Sequence, residues 1–152
     1  MSSGYTFILA TWRNDAADIR AVREQVWEEA YGGEWPQGDL LGEERAFHVL
    51  AYDAAGRAVG VARMQADGRI DYVAVRKPWR GVTVGGALLA YLVHIAQARR
   101  LENVWSIVPS SVQKFFAKNL FVAASDTATD GAAGRRWVRR VPMPGERNIT
   151  LQ

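Results

Sequence analysis

No cysteine occurs among the 152 residues, and only two histidines do, His48 and His94. The first absence excludes disulfides, thiolate catalysis and cysteine-held zinc or iron–sulfur centres within the chain. The second excludes an all-histidine zinc site, and neither histidine stands in an HExxH pattern, so no metal is expected. Long hydrophobic runs are missing as well. No segment reaches the roughly 18 apolar residues of a membrane helix, and Met1–Ala10 lacks the basic start and apolar stretch of a signal peptide. A cytoplasmic location and no membrane partner are the expectation. Charge of one sign is scarce: 19 Lys and Arg against 16 Asp and Glu leave a net +3. With a pI of 9.5 this mildly favours an anionic ligand. The pairs Arg99-Arg100 and Arg135-Arg136 are short and separated, so no nucleic-acid partner is expected.

What is present suits a single folded domain over residues 1–152, with 49% hydrophobic and 23% charged residues and no tandem repeat. Tyr5–Trp12 reads as a first strand. Asn14 or Asp15 then caps a helix over Ala16–Ala30, whose Ile19, Val22, Val26 and Ala30 make the inner face. Arg20, Arg23, Glu24 and Glu28 fall on its flank or in solvent. A Gly-rich loop holding Trp35 follows, and Trp35 either shapes a pocket or caps the core. Phe47–Tyr52, Ala58–Gln65 and Arg69–Val75 are three strands with short links, an antiparallel meander. Val84–Arg100 is a long helix, Val104–Val108 a strand, and Pro109, Ser110 and Ser111 open a helix that buries Val112, Phe115 and Phe116. Leu120–Ala124 and Arg135–Val141, with a loop at Ala128–Gly134 between them, form a final hairpin. The order is that of a mixed α/β domain, not of a barrel with eight equal units.

The informative point is the junction before the long helix. Val73-Ala74-Val75 ends a strand, Pro78 interrupts it, and Arg80-Gly81-Val82-Thr83-Val84-Gly85-Gly86 leads into Ala87-Leu88-Leu89. Gly81, Gly85 and Gly86 permit close backbone approach, the first helical amides lack acceptors, and the helix terminus favours negative charge. Arg80 adds charge-assisted bonds to a phosphate. No Gly-Lys-Ser, Gly-Lys-Thr or GxGxxG pattern is present, so the segment reads either as a phosphate or pyrophosphate cradle of another kind or as an ordinary strand–helix turn.

These residues resemble the GNAT (GCN5-related N-acetyltransferase) family over approximately Phe7–Val141. Its signature is Gln or Arg, two variable residues, Gly, one variable residue, then Gly or Ala. Arg80 matches the first position and Gly85 the last, while Thr83 stands where the first Gly is usual. The Ile70–Val75 strand, the Ala87-Leu88-Leu89 helix start and Phe115-Phe116-Ala117-Lys118-Asn119-Leu120-Phe121 fit the same pattern.

The resemblance implies a GNAT-like mixed sheet in which the Val73 and Val75 strand splays from a parallel neighbour. It also implies acetyl-CoA or another acyl-CoA as co-substrate and a pyrophosphate over the amides of Val82 to Gly86. The implied reaction is direct acyl transfer to a primary amine, with a backbone N–H near Val73 stabilising the oxyanion. A small-molecule amine or amino acid is the favoured acceptor, a protein amine is a second one, and a homodimer is compatible. Asp71 is the first candidate for the base, since two- and four-residue spacing from Val73 and Val75 puts it on their face; it is otherwise a solvated carboxylate or an arginine partner. By the same parity Tyr72 points away. Glu28, Glu29, Glu34, Glu43 and Glu44 are candidates to line the acceptor entrance. Phe116 occupies the place of the family's usual tyrosine acid and is a core or cofactor-packing residue. His48 and His94 are read as structural, with His48 a base only if its face meets the cleft. The missing acid leaves a second reading open, a catalytically impaired acyl-CoA-binding or sensory protein.

Overall fold

The structure, a computed structural model, describes residues 4–35, 38–81, 83–124 and 134–145. Val82 and the loop at residues 128–133 lie outside them. The α/β architecture is the expected one, and its chain gathers into two compact units. One comprises Met1–Ala66 and Ile70–Leu92, the other Asp67–Arg69 and Val93–Gln152.

The first unit is an antiparallel sheet in the order β1-β2-β3-β4, from Thr6–Ala10, Phe47–Tyr52, Ala58–Met64 and Ile70–Val75. Helix α1 (Trp12–Tyr31) lies on one face, where Ile19 and Val22 bury against Leu50, Val61 and Ala74. It begins earlier than the expected cap. Thr11 is the N-cap, its hydroxyl accepting from Asn14 N, while Asp15 Oδ2 accepts from Thr11 N at 2.9 Å, a reciprocal arrangement that satisfies two amides. Short helix α2 (Leu40–Arg45) is capped by Asp39, whose carboxylate accepts from Gly42 N. On the opposite face of the sheet, a Cβ placed at Gly60 would come 3.0 Å from Val84 and 3.2 Å from Leu88, so the first turns of α3 (Val84–Ala98) press directly on that glycine.

Register carries the consequential detail. Cross-strand pairs align Ala10, His48, Arg63 and Asp71 in one row and Ile8, Leu50, Val61 and Ala74 in the next, all on the α1 face. Between those rows β4 carries one residue too many. Val61 pairs Ala74 but Arg63 pairs Asp71, so Tyr72 and Val73 together face Ala62, and Tyr72 takes φ 51. This is a β-bulge with a non-glycine residue in the left-handed region.

The second unit holds an antiparallel sheet β5-β7-β6 from Asn103–Val108, Arg135–Arg140 and Val122–Ala123, so the expected final hairpin is present. Arg69 makes an isolated parallel bridge to Trp105. After a 3₁₀ turn at Ser110–Val112, helix α4 (Gln113–Lys118) buries Phe116, while Phe115 is half-buried and Val112 is exposed instead of buried. No serine caps this segment, since Pro109 occupies the cap of the turn and Val112 that of the helix. No described helix is long and apolar enough to cross a membrane.

Candidate functional site

Two groups of residues in the first unit meet at β4. The first is the strand–helix junction. Arg76 N donates to Val59 O across the ladder, so by alternation the amide and carbonyl of Val75 face the outer edge of β4. That edge pairs with no strand of its own sheet. Arg80 Nε donates to Val75 O at 2.8 Å, and Arg80 Nη2 lies 3.8 Å from Glu29 Oε1. The arginine is thereby folded over the end of the strand, with its head still half-exposed. Gly81 at φ 81 and Thr83 at φ 74 both take left-handed backbone, which a glycine accepts freely and a β-branched residue does not. The carbonyl of Thr83 accepts from Ala87 N and starts α3. Ala87 is the first residue so bonded, which leaves the amides of Val84, Gly85 and Gly86 without intrahelical acceptors at the positive end of a 15-residue helix.

The second group was mostly missed from sequence. Arg23 is 1% exposed, not on a solvated flank, and Glu43 is 2% exposed, not at an acceptor entrance. Arg23 Nη1 donates to Glu43 Oε2 at 2.5 Å, and Arg63 Nη1 donates to Glu43 Oε1 at 3.1 Å. Arg63 also forks Asp71, Nε to Oδ1 at 2.7 Å and Nη2 to Oδ2 at 2.8 Å, while Gln65 Nε2 donates to Oδ2 at 3.0 Å. Two buried guanidinium groups therefore alternate with two carboxylates. His48 Nε2 lies 2.7 Å from Glu43 O; a carbonyl only accepts, so this nitrogen carries the proton.

Aromatic rings cover the network. Tyr72 carries Arg63 at 4.4 Å and Arg23 at 4.8 Å from its centroid, and it meets Trp35 edge-on at 5.0 Å. Trp35 in turn meets Trp27, and Trp27 meets Tyr31. Arg23 Nε and Nη2, which have no hydrogen-bond acceptor among the described residues, sit among Trp12, Trp35 and Tyr72.

Burial sets the electrostatics. It lowers the pKa of Arg23, an effect Glu43 only partly offsets. Burial acts the same way on Arg63, but there the Asp71 fork and then Glu43 outweigh it and hold the pKa above the ordinary value. His48 is held below its usual 6.5, chiefly by burial.

Several sequence expectations are corrected by this geometry. Asp71 does not share a face with Val73 and Val75, because the extra residue resets the alternation; it stands in the row of Arg63, and both its oxygens are engaged. The parity objection to Tyr72 falls for the same reason, since its ring lies on the guanidinium group that Asp71 binds. Phe116, 6% exposed, is packed edge-on between Phe115 and Phe121 in the second unit, so its ring offers almost no face to a ligand. Val82 cannot be placed in the cradle, being outside the described residues. Glu28, Glu34 and Glu44 are exposed. Arg23 had a legible signal: it follows Ile19 by four residues and Val22 by one, within the buried stripe of α1.

The junction offers a strand edge unpaired within its own sheet, followed by helical amides without intrahelical acceptors and a tethered arginine suited to an anion. The model of the Acetyltransferase (GNAT) family matches residues 9–120. No curated protein sequence matches the chain. Among solved structures, a GNAT-family acetyltransferase of Staphylococcus aureus Mu50 superposes with TM-score 0.72 at 14% identity, over 91% of this chain and 99% of that one. PaiA N-acetyltransferase of Thermoplasma acidophilum, solved with coenzyme A, gives TM-score 0.68 at 14% identity over 92% and 99%. N-acetylglutamate synthase of Neisseria gonorrhoeae, solved with coenzyme A and N-acetyl-glutamate, gives 0.71 at 16% identity, covering 93% of this chain but 36% of that one.

Proposed function

The chain belongs to the GNAT acetyltransferase family, and on that premise we propose that it transfers an acyl group, acetyl in the first instance, from acyl-CoA to a primary amine by direct attack. The observation that carries this reading is the junction at the end of β4: a strand edge unpaired within its own sheet, running into a turn, a tethered arginine and three helical amides without intrahelical acceptors. Two of the solved relatives by fold hold coenzyme A. The amides of Val84, Gly85 and Gly86 fit a diphosphate through the helix-terminal potential, and the half-exposed guanidinium of Arg80, held by the Val75 carbonyl and facing Glu29, adds positive charge beside them. The backbone of Val73 and the amide of Val75, whose carbonyl is taken by Arg80, lie along the edge where an amide-bearing arm would pair as an added strand does.

When bound, acyl-CoA supplies an activated thioester carbonyl. The chain supplies placement and one polar contact at the reacting centre: the Val73 N–H, beside the bulge, donates to the carbonyl oxygen and strengthens as negative charge develops there. Holding both reactants at one edge removes the entropic cost of their encounter. The amine nitrogen bonds to the carbonyl carbon as the C–S bond breaks, and the departing CoA thiolate takes up, through solvent, the proton the amine loses; Asp71 enters through Arg63 and not as a proton acceptor. A small amine or amino acid remains the favoured acceptor.

Calorimetric titration with acetyl-CoA, followed by thiol release over a panel of amines, amino acids and a lysine peptide, tests the reading. Arg80→Ala is expected to weaken acetyl-CoA binding about tenfold, or ~1.4 kcal/mol, with an unchanged thermal midpoint; unaltered affinity would remove Arg80 from the cradle. A second reading, an acyl-CoA-binding protein without turnover, is favoured by the full engagement of Asp71 and the phenyl ring at Phe116. Tight binding with no thiol release from any acceptor would select it.

A further inference from the structure

Tyr72 is a bulky residue held at φ 51 in the middle of a strand edge, a conformation that is strained for a residue with a Cβ. Something must hold it there, and the contacts around it identify what does. The residue before it, Asp71, is gripped through both oxygens by the Arg63 fork. The ring of Tyr72 itself lies on the Arg63 guanidinium at 4.4 Å and on that of Arg23 at 4.8 Å. Both guanidinium groups are fixed from the far side by the two oxygens of Glu43, which the Asp39 cap of α2 brings into place. One planar cation thus fastens the side chain of the residue just before the bulge and the ring of the residue at it.

We infer that Arg63, locked by Glu43, which Arg23 holds in turn, is a positioning residue that holds the β4 bulge in its left-handed form and thereby aims the Val73 N–H outward from the sheet edge. The inference rests on the acyl-CoA reading for what Val73 then meets. Arg63 touches no reacting atom in this scheme. Its planarity matters as much as its charge, because a fork and a ring stack both need the flat guanidinium group, which lysine lacks.

The test reads the hydrogen bond itself and needs no acceptor. The carbonyl stretch of [1-¹³C]acetyl-CoA, recorded by isotope-edited infrared spectroscopy free and bound, is expected at lower frequency on the wild-type protein. In Arg63→Lys at least half of that shift is expected to vanish, while the calorimetric affinity for acetyl-CoA stays within threefold. Adding Tyr72→Gly, which accepts the left-handed backbone without a buttress, is expected to restore the shift. A merely structural role predicts loss of thermal midpoint and affinity together, with no rescue.

A full shift in Arg63→Lys, or a loss that Tyr72→Gly does not restore, overturns the inference. If Arg63→Lys fails to fold, Asp71→Asn, which weakens the fork while keeping its shape, is read by the same criteria. A bound wild-type carbonyl at the free frequency, or no binding at all, removes the acyl-CoA reading and this inference with it. A shifted wild type beside an equally shifted variant removes the inference alone.

Discussion

Glu43 is the residue on which most of the buried network depends, since it faces Arg23 and Arg63 at once with 3% of its side chain exposed. Glu43→Gln preserves its shape but leaves Arg23 a buried cation with no counter-charge in contact. Breaking such a pair from one side costs about 3–5 kcal/mol. The expected result is a lowered urea midpoint at unchanged slope. Glu44→Gln, one residue along and exposed, is expected to stay within roughly 0.5 kcal/mol. Asp71 shows where residue-by-residue reading stops. Its identity and the Arg-partner alternative were legible, but its direction was not, because alternation holds only while the strand is regular. A non-glycine bulge gives no compositional warning: tyrosine at position 72 reads as an ordinary strand residue.

At the scale of elements the pattern was far more legible. Phe47–Tyr52 and Ile70–Val75 fall where period-2 patterning and short turns put them, and α3 starts at Val84 as expected. The end of β6 and the Ser110 region were less so, because short strands and 3₁₀ turns carry little periodicity. The contact of β3 with α3 at Gly60 yields a prediction that spans two elements. In Gly60→Ala the new Cβ would meet Val84 and Leu88 at 3.0 and 3.2 Å, and both belong to the start of the helix. A loss of about 1–3 kcal/mol is expected from overpacking. Because the displaced turns carry the free amides, acetyl-CoA affinity is expected to fall as well. A variant that loses stability in chemical denaturation yet titrates normally would separate that glycine from the cradle.

For the molecule as a whole, pH is the condition that reaches the core most directly. His48 is fully buried among Arg23, Arg63, the Glu43 carbonyl and the Trp12 ring. Its folded pKa lies below the ordinary 6.5, so as pH falls through that value the unfolded chain takes up a proton that the folded chain does not. Stability is therefore level above the unfolded pKa and declines as pH falls below roughly 6.5, ahead of the range where exposed carboxylates titrate. Denaturation midpoints measured as the pH is lowered should show this decline in the wild type and a flatter profile in His48→Gln. The sequence indicated that His48 was structural without indicating this cost, since the two cations that surround it come from α1 and β3, distant in the chain, and meet it through Glu43 just before it on α2.

The open edge of β4 has a colloidal side. A row of unshared amides and carbonyls is as ready to join a strand from another molecule as to receive a ligand. The irregularity at Tyr72 twists the row and Arg80 occupies the carbonyl of Val75, so neither end of the stretch between them is flat enough to template long pairing. The features that shape this edge thus also disfavour long edge-to-edge pairing between neighbouring copies.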